Sequence, residues 1–374
     1  MRLGFDAKRL FHNTTGLGNY SRDLLRILAT YYPNNEYYLY NPKPAHINRL
    51  KLTSQMFVKQ PHNWFSKKLH FLWRSKWVTK DIIKDQLDIF HGLSGELPFG
   101  IQKTGVKSVV TIHDLIFLHY PKLYKPVDRK IYTAKFKYAA QKADKIVAIS
   151  EQTKSDLVKF FNVSPKKIRV IYQGCHQVFK QSYSDALKKT VKEKYGLPDN
   201  FILNVGTIEE RKNAFNIVKA IKDTDYQLVL VGRKTEYYDE IDAYIKQHNM
   251  QNQIKFLEGL NIKELAILYQ LADIFIYPSI YEGFGIPIIE AMFSKTPVIT
   301  NKYGVFKEAA GPDAFYLEDV NNPEEIKTMI QQIYNKPPTE NIERSYQYAL
   351  QNFSDDVIAK QYHQLYQSLT NDAK

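Results

Sequence analysis

Glu282 and Glu290 are separated by seven residues that begin with a glycine-softened turn, Gly283-Phe284-Gly285, and run through Ile286 and Pro287 into a helix. Proline in the first turn of a helix suits a position whose N–H has no intrahelical partner, and glycines let the chain bend sharply just before it. Such an entry aims backbone amides outward at the positive end of the helix dipole, where a phosphate group is the natural guest. Carboxylates repel phosphate, so the two acids are read as acceptors for hydroxyls on either side of it, one from a sugar and one from a ribose. The plain alternative is a helix start that carries two acids, with Ile289, Met292 and Phe293 facing the core at helical spacing. Gly283, Phe284, Gly285 and Pro287 are poor choices for a mere helix entry, which favours the ligand reading.

Gly206-Thr207-Ile208-Glu209-Glu210-Arg211-Lys212-Asn213 follows one strand pattern and precedes a helix pattern. Two adjacent cations at a helix entry oppose the dipole unless an anion offsets them. A diphosphate would do so: Arg211 can fork onto phosphate oxygens while Lys212 acts as a point charge, and both would stabilise a departing nucleoside diphosphate. A solvated loop pair is the bland reading. In the first half, a strand pattern ends in His113-Asp114, which makes His113 a candidate acid, base or hydrogen-bond donor and Asp114 a turn-orienting residue. Gly16 and Gly18, in Thr15-Gly16-Leu17-Gly18-Asn19-Tyr20 after the first strand, would let the backbone approach a phosphate or sugar. A third glycine is missing, so the dinucleotide fingerprint is incomplete.

The stretch from Glu282 to Glu290 resembles the signature of the retaining glycosyltransferases of family 4, in which two glutamates seven residues apart flank a Gly-Phe-Gly core. The resemblance implies that Glu282 contacts the donor sugar and Glu290 the nucleotide ribose, with Gly283, Phe284, Gly285 and Ile286 completing the donor site. The 206–213 segment is similar to the family's Gly-Thr-x-x-x-Arg-Lys-Asn, whose basic residues hold the donor phosphates. The family's His-Asp at the end of the corresponding strand implies that His113 lies beside the anomeric carbon, with its carbonyl toward the reacting face and its imidazole near sugar hydroxyls. Gly16 and Gly18 correspond to a loop touching the donor diphosphate and the acceptor. Asp223-Thr224-Asp225 looks like the metal-binding triplet of a different glycosyltransferase fold, but it falls at the amino edge of a sheet and is read as a turn. No metal is therefore expected. In the 304–311 loop, Phe306-Lys307 departs from the family's usual Leu-Pro.

These motifs need a frame to carry them. At 374 residues the chain exceeds the size at which one core keeps growing, so two domains are expected. Short strand patterns alternate with amphipathic helix patterns from end to end, which argues for parallel sheets with helices on both faces. Strands are expected at 2–6, 37–40, 88–92, 107–113, 145–150 and 169–173, then at 201–206, 227–232, 254–258, 273–278 and 296–300. Helices are expected at 18–31, 65–85, 127–143, 152–161, 214–222, 237–248, 262–271 and 286–294. The polar stretch 179–184 reads as the crossing between domains, giving residues 1–180 for the acceptor and 181–353 for the donor. The resemblance implies the GT-B fold, two Rossmann-like halves facing across a cleft, with a last helix over 354–370 returning to the first half.

Charge is unevenly divided. Residues 1–180 hold 31 Lys plus Arg against 12 Asp plus Glu, and the remainder 21 against 27. The excess points to an anionic partner or to a lysine-rich solvated surface. All three tryptophans, Trp64, Trp73 and Trp77, fall among Lys67, Lys68, Arg74 and Lys76, a pattern that suits either an anionic membrane surface via 64–80 or a core-facing helix with a basic edge. The single Cys175, the charged first residues and the lack of a long apolar run give the expectation of a cytoplasmic chain, peripheral on the membrane. The expected function is retaining, metal-independent transfer of a hexose from a nucleotide-diphosphate sugar, with GDP-mannose as the first guess, to a glycan or lipid-linked acceptor. No nucleic acid and no cofactor beyond that co-substrate are expected. The rivals are a nucleotide-sugar epimerase of the same architecture and a non-catalytic basic binding protein.

Overall fold

Runs such as Leu228-Val229-Leu230-Val231 and Ile274-Phe275-Ile276-Tyr277 are buried at every position. A strand without a polar face must be covered on both sides, and this is the signature of parallel sheets flanked by helices. The computed structural model describes residues 1–371 and places such strands in two compact units, Met1–Gln173 with the segment from Ser354 onward, and Gly174–Phe353.

In the first unit, β1 (Arg2–Asp6), β2 (Glu36–Tyr40), β3 (Met56–Lys59), β4 (Ile89–Gly92), β5 (Lys107–Ile112), β6 (Lys145–Ala148) and β7 (Ile168–Val170) form a sheet in the order β3-β2-β1-β4-β5-β6-β7. Every pairing is parallel. One face packs against the helix Gly16–Tyr31 and against Ile358, Tyr362, Leu365, Tyr366 and Leu369 of the last helix, Asp355–Asn371. The other face gathers Trp73, Ile82, Phe90, Leu157 and Phe161.

The second unit arranges β8 (Ile202–Val205), β9 (Leu228–Val231), β10 (Ile254–Leu257), β11 (Ile274–Tyr277), β12 (Val298–Asn301) and β13 (Phe315–Leu317) in the order β10-β9-β8-β11-β12-β13, again all parallel. The direction of strand succession reverses between β8 and β11. Loops leaving the carboxyl ends of strands at such a reversal diverge to opposite faces and leave a crevice for ligand. The two loops here are 206–213 and 278–285.

Several expectations need revision. The units divide at 173/174, not 180/181: Gln177–Lys180 is a short 3-10 turn whose buried Phe179 meets the Tyr269 ring edge-on, 5.7 Å between centroids, inside the second unit. The helix expected over 65–85 is broken into Trp64–Lys68, His70–Leu72, a π-helical turn Trp73–Trp77 and Val78–Lys84. A helix Lys8–His12 intervenes between β1 and the Gly16 loop. β3 and β13 were not anticipated, since β3 is an edge strand with Phe57 exposed and β13 is three residues long. Nor were the helices Asp185–Tyr195, Pro323–Asn335 and Thr339–Phe353. The first of these buries only Val191, so its lysine-rich sequence has almost no apolar stripe to read.

Candidate donor site

The loops after β8 and β11 are tied together by their backbones before any side chain is considered. Ile280 N–H donates to the Arg211 carbonyl at 2.9 Å, and the Ser279 hydroxyl donates to the same oxygen at 3.1 Å. Arg211 and Lys212 end a 3-10 turn, Glu210–Lys212, which is closed by Asn213 in the left-handed region. The buried Asn213 side chain donates to the Val320 carbonyl at 2.7 Å and fixes that exit.

Glu282 gathers four donors on one carboxylate oxygen. Arg211 Nη1 lies 2.8 Å away, Lys212 Nζ 2.5 Å, Tyr277 Oη 2.9 Å and Ser279 Oγ 2.8 Å. Lys212 also bonds the Tyr277 hydroxyl, and Arg211 also bonds Glu209 and the Tyr281 carbonyl. Burial alone would push the Glu282 carboxyl up, but Lys212 and Arg211 outweigh it and hold the group at about 2.

Glu290 sits on the helix Ile286–Phe293, one turn inside, with the Tyr269 hydroxyl donating to it at 2.9 Å. Burial pushes its carboxyl up to about 7, against the smaller opposing effect of that hydrogen bond. Tyr277 feels both acids, and burial raises its own hydroxyl well above the ordinary value.

The turn between the acids is built as its sequence demands. Gly285 caps the helix at φ +108°, a conformation that favours glycine, and Pro287 lies in the first turn. Gly283 and Ile286 are half-buried in the turn, whereas the Phe284 ring is buried against Phe353, centroids 5.7 Å apart, so its side chain anchors the loop from within. Arg211, Lys212, Glu282 and the start of the 286–293 helix thus converge, with Glu290 on that helix.

His113, Gly16 and Gly18 belong to the first unit. His113 follows β5 and is buried; its Nε2–H donates to the Leu93 carbonyl at 2.9 Å and Nδ1 accepts from Gln173 at 2.8 Å. Burial lowers its basicity to about 4, so the ring is neutral near pH 7. Tyr20 packs edge-on to it at 4.6 Å and is held by Thr111 and Tyr362. The His113 carbonyl accepts from Thr153 at 3.1 Å, and Asp114 accepts from Ile116 N–H at 3.1 Å, orienting the turn. A Cβ on Gly18 would lie 1.9 Å from the Asn13 carbonyl oxygen, so this glycine answers a packing need inside the loop; beside Gly16 the space is open. Thr15 and Gly18 amides both donate to Asn13 Oδ1.

Sequence reasoning missed Tyr277, Ser279, Tyr269 and Gln173. Tyr277 reads as one more apolar strand residue, and only its position at the carboxyl end of β11 hints at more. It also missed a cluster at the reversal between β1 and β4, where Arg74 bonds Asp6 and pairs with Glu96 at 2.8 Å, while Lys135 reaches Glu96 at 3.3 Å. Asp223 adopts φ +59° in a turn before β9; among the described residues, no group of three or more His, Cys, Asp or Glu side chains is arranged to hold a metal ion. No helix of the described residues is long and apolar enough to cross a membrane.

Comparison with known proteins bears on the fold and the family. The O-antigen chain mannosyltransferase RfbU of Salmonella typhimurium is 31% identical over 228 residues, a match covering 60% of each chain. O-antigen chain mannosyltransferase B of Escherichia coli is 27% identical over 354 residues, covering 89% of this chain and 90% of that one. Among solved structures, sucrose-phosphate synthase from Thermosynechococcus elongatus superposes with a TM-score of 0.78 at 19% identity over the whole of both chains. Anabaena HepE in complex with UDP and glucose superposes with 0.72 at 17%, over 98% of this chain and 99% of that chain. These likenesses show the fold, two Rossmann-like parallel-sheet domains of the GT-B type. The model described as glycosyltransferase family 4 matches residues 15–176 and that of the group 1 glycosyl transferases matches 185–351, so that nearly all of the chain is accounted for and it belongs to glycosyltransferase family 4.

Proposed function

We propose that the protein is a retaining, metal-independent hexosyltransferase that moves mannose from GDP-mannose to a hydroxyl of a glycan or lipid-linked acceptor in cell-surface polysaccharide synthesis. The observation that carries the proposal is the convergence of Arg211, Lys212 and the amino end of the 286–293 helix at the β8/β11 reversal, with Glu282 and Glu290 beside them. The mannosyltransferase names of the two relatives support the sugar. In this reading the donor diphosphate meets the two cations and the helix dipole, which stabilise the charge that builds as it departs. That fixed positive charge replaces a divalent ion. Glu282, ionised throughout the physiological range, accepts from hydroxyls of the donor sugar, and Glu290 from the ribose.

The acceptor hydroxyl approaches from the face that the diphosphate leaves. Its oxygen bonds to the anomeric carbon as the bond to the phosphate oxygen breaks, and the departing phosphate oxygen takes its proton, so the anomeric configuration is retained. His113 is not the base: both ring nitrogens are engaged and the ring is neutral. Its part is hydrogen bonding, with the carbonyl keeping a second lone pair beyond the bond from Thr153. The Arg74, Asp6, Glu96 and Lys135 cluster in the first unit offers donors and acceptors for a hydroxyl-rich acceptor.

Thermal shift with GDP, UDP and ADP should show the largest stabilisation with GDP, and transfer from GDP-mannose should persist in chelator and give product of unchanged anomeric configuration. Inverted product, or strict dependence on magnesium or manganese, would overturn the mechanism. Conversion of the donor sugar without any acceptor would favour an epimerase, and tight oligonucleotide binding without nucleotide-sugar affinity would favour a basic binding protein.

A further inference from the structure

We propose that Glu282 is the internal counter-ion of the ligand-free site: it occupies Arg211 and Lys212 until a nucleoside diphosphate exchanges for it, so that the arrival of the diphosphate is what frees Glu282 to meet the donor sugar. The inference rests on reading the 206–213 and 282–290 segments as the diphosphate site, and it adds how that site is kept when empty.

Charge balance gives the first argument. Arg211 and Lys212 bring two positive charges, and Glu282 and Glu209 bring two negative ones, all within ion-pair distance. The cluster is neutral as it stands. A diphosphate entering it would meet Glu282, itself only 13% exposed, holding the two cations that should receive the phosphates. Like charges so close repel by several times the thermal energy at the effective dielectric of a partly buried site. The carboxylate must therefore give up its cations when the phosphates take them.

Local structure makes the exchange feasible. Glu282 is not on the helix but in the turn before it, next to Gly283, so it is carried by loop backbone while the Phe284 ring anchors the turn beyond it. The carboxylate would not be stranded on leaving the cations, because Tyr277 and Ser279 donate to the same oxygen at 2.9 and 2.8 Å. These two are positioning residues: they keep Glu282 hydrogen-bonded through the exchange. Tyr277 also touches Lys212 from the same hydroxyl, so one group borders both the old and the new partner of the cation. When the site empties, Glu282 returns and two buried cations are not left facing each other, an arrangement that would otherwise cost the fold heavily.

The sign of one substitution decides the matter. A glutamate that only contacts the donor hexose is indifferent to a nucleotide that carries none, whereas a counter-ion competes with its phosphates. Isothermal titration of GDP, which has no hexose, should give about ten-fold tighter binding to Glu282→Gln than to the wild type. GDP-mannose should gain less, because the glutamine also weakens the sugar contact. Glu282→Ala, which removes the same charge without placing an amide beside the cations, should tighten GDP binding by a similar factor and serves if Glu282→Gln does not fold. Equal or weaker GDP binding by Glu282→Gln, or by Glu282→Ala where that is the variant in hand, overturns the counter-ion role. If none of GDP, UDP or ADP binds the wild type or either variant, the donor-site reading itself is overturned, and this inference with it.

Discussion

Glu282 and Glu290 are the same side chain placed in opposite electrostatic surroundings. The first is surrounded by cations and hydroxyl donors and stays ionised down to about 2; the second has one tyrosine and a buried position, and reaches half-protonation at about 7. The Glu290 shift has a consequence for stability. Its folded value lies above the ordinary 4.5, so the folded state holds this proton more tightly than the unfolded chain does. The resulting stabilisation is complete below about pH 4.5 and is lost as pH rises through about 7. Compared with Glu290→Gln, the wild type should therefore lose on the order of 2 kcal/mol between pH 5 and 8, allowing for solvent screening at its exposed edge. Melting curves of the two proteins across that range test this, and parallel curves would remove the assigned shift. Both acids were legible from their spacing. Their different protonation was not, because it depends on Arg211, Lys212 and Tyr269, which are distant in the chain.

At the scale of the element, the segment 64–84 shows why a helical pattern can be right about composition and still miss where the helix breaks. The π turn at Trp73–Trp77 turns Trp73 inward, where its indole N–H donates to Asp81 at 2.7 Å, and brings Arg74 to Asp6 and Glu96. Trp73 and Trp77 pack on the same core, Trp77 only partly buried. The aromatic surface that remains exposed is instead Trp64, Phe65 and Phe71, at 64%, 68% and 59%, beside the exposed Lys67 and Lys68. Of the large exposed hydrophobics among the described residues, all but Leu187, Ile262, Ile280 and Tyr303 lie in the first unit, which also carries the excess positive charge. Exposed aromatics beside lysines are the combination that an anionic lipid surface would bind, and vesicle sedimentation tests it. Trp73→Ala should cost about 3–5 kcal/mol of stability. Replacing Trp64, Phe65 and Phe71 by serine should leave the melting temperature nearly unchanged and reduce sedimentation with vesicles rich in phosphatidylglycerol; undiminished sedimentation would exclude this surface.

At the scale of the whole molecule, the chain completes its first unit with its last helix. Tyr362 and Tyr366 are fully buried there, hydrogen-bonded to Tyr20 at 2.6 Å and to His91 at 2.8 Å. Burial keeps that histidine neutral, at about 3. Removing the chain from Ser354 onward would expose one face of the first core and leave His91 and Tyr20 without these partners. The truncated protein should lose the cooperative melting of the first unit, while residues 174–353 retain stabilisation by nucleoside diphosphate. Loss of both responses together would mean that the units do not fold independently.

The alternation of strand and helix patterns and the placing of the 206–213 and 282–290 segments at strand ends were written in the sequence, because each depends on local periodicity or on residues close in the chain; the return of the last helix came only from the family resemblance. The division at 173/174, the π turn and the edge strands were not, since each follows from which side chains a neighbouring element can bury. The site shows the same limit most clearly. Sequence supplies Arg211, Lys212, Glu282 and Glu290 as candidates, but only the pairing of β8 with β11 places the first two against the third, across some seventy residues of chain. Charges interact through space, and the distances that decide which carboxylate is ionised exist only once the sheet has formed.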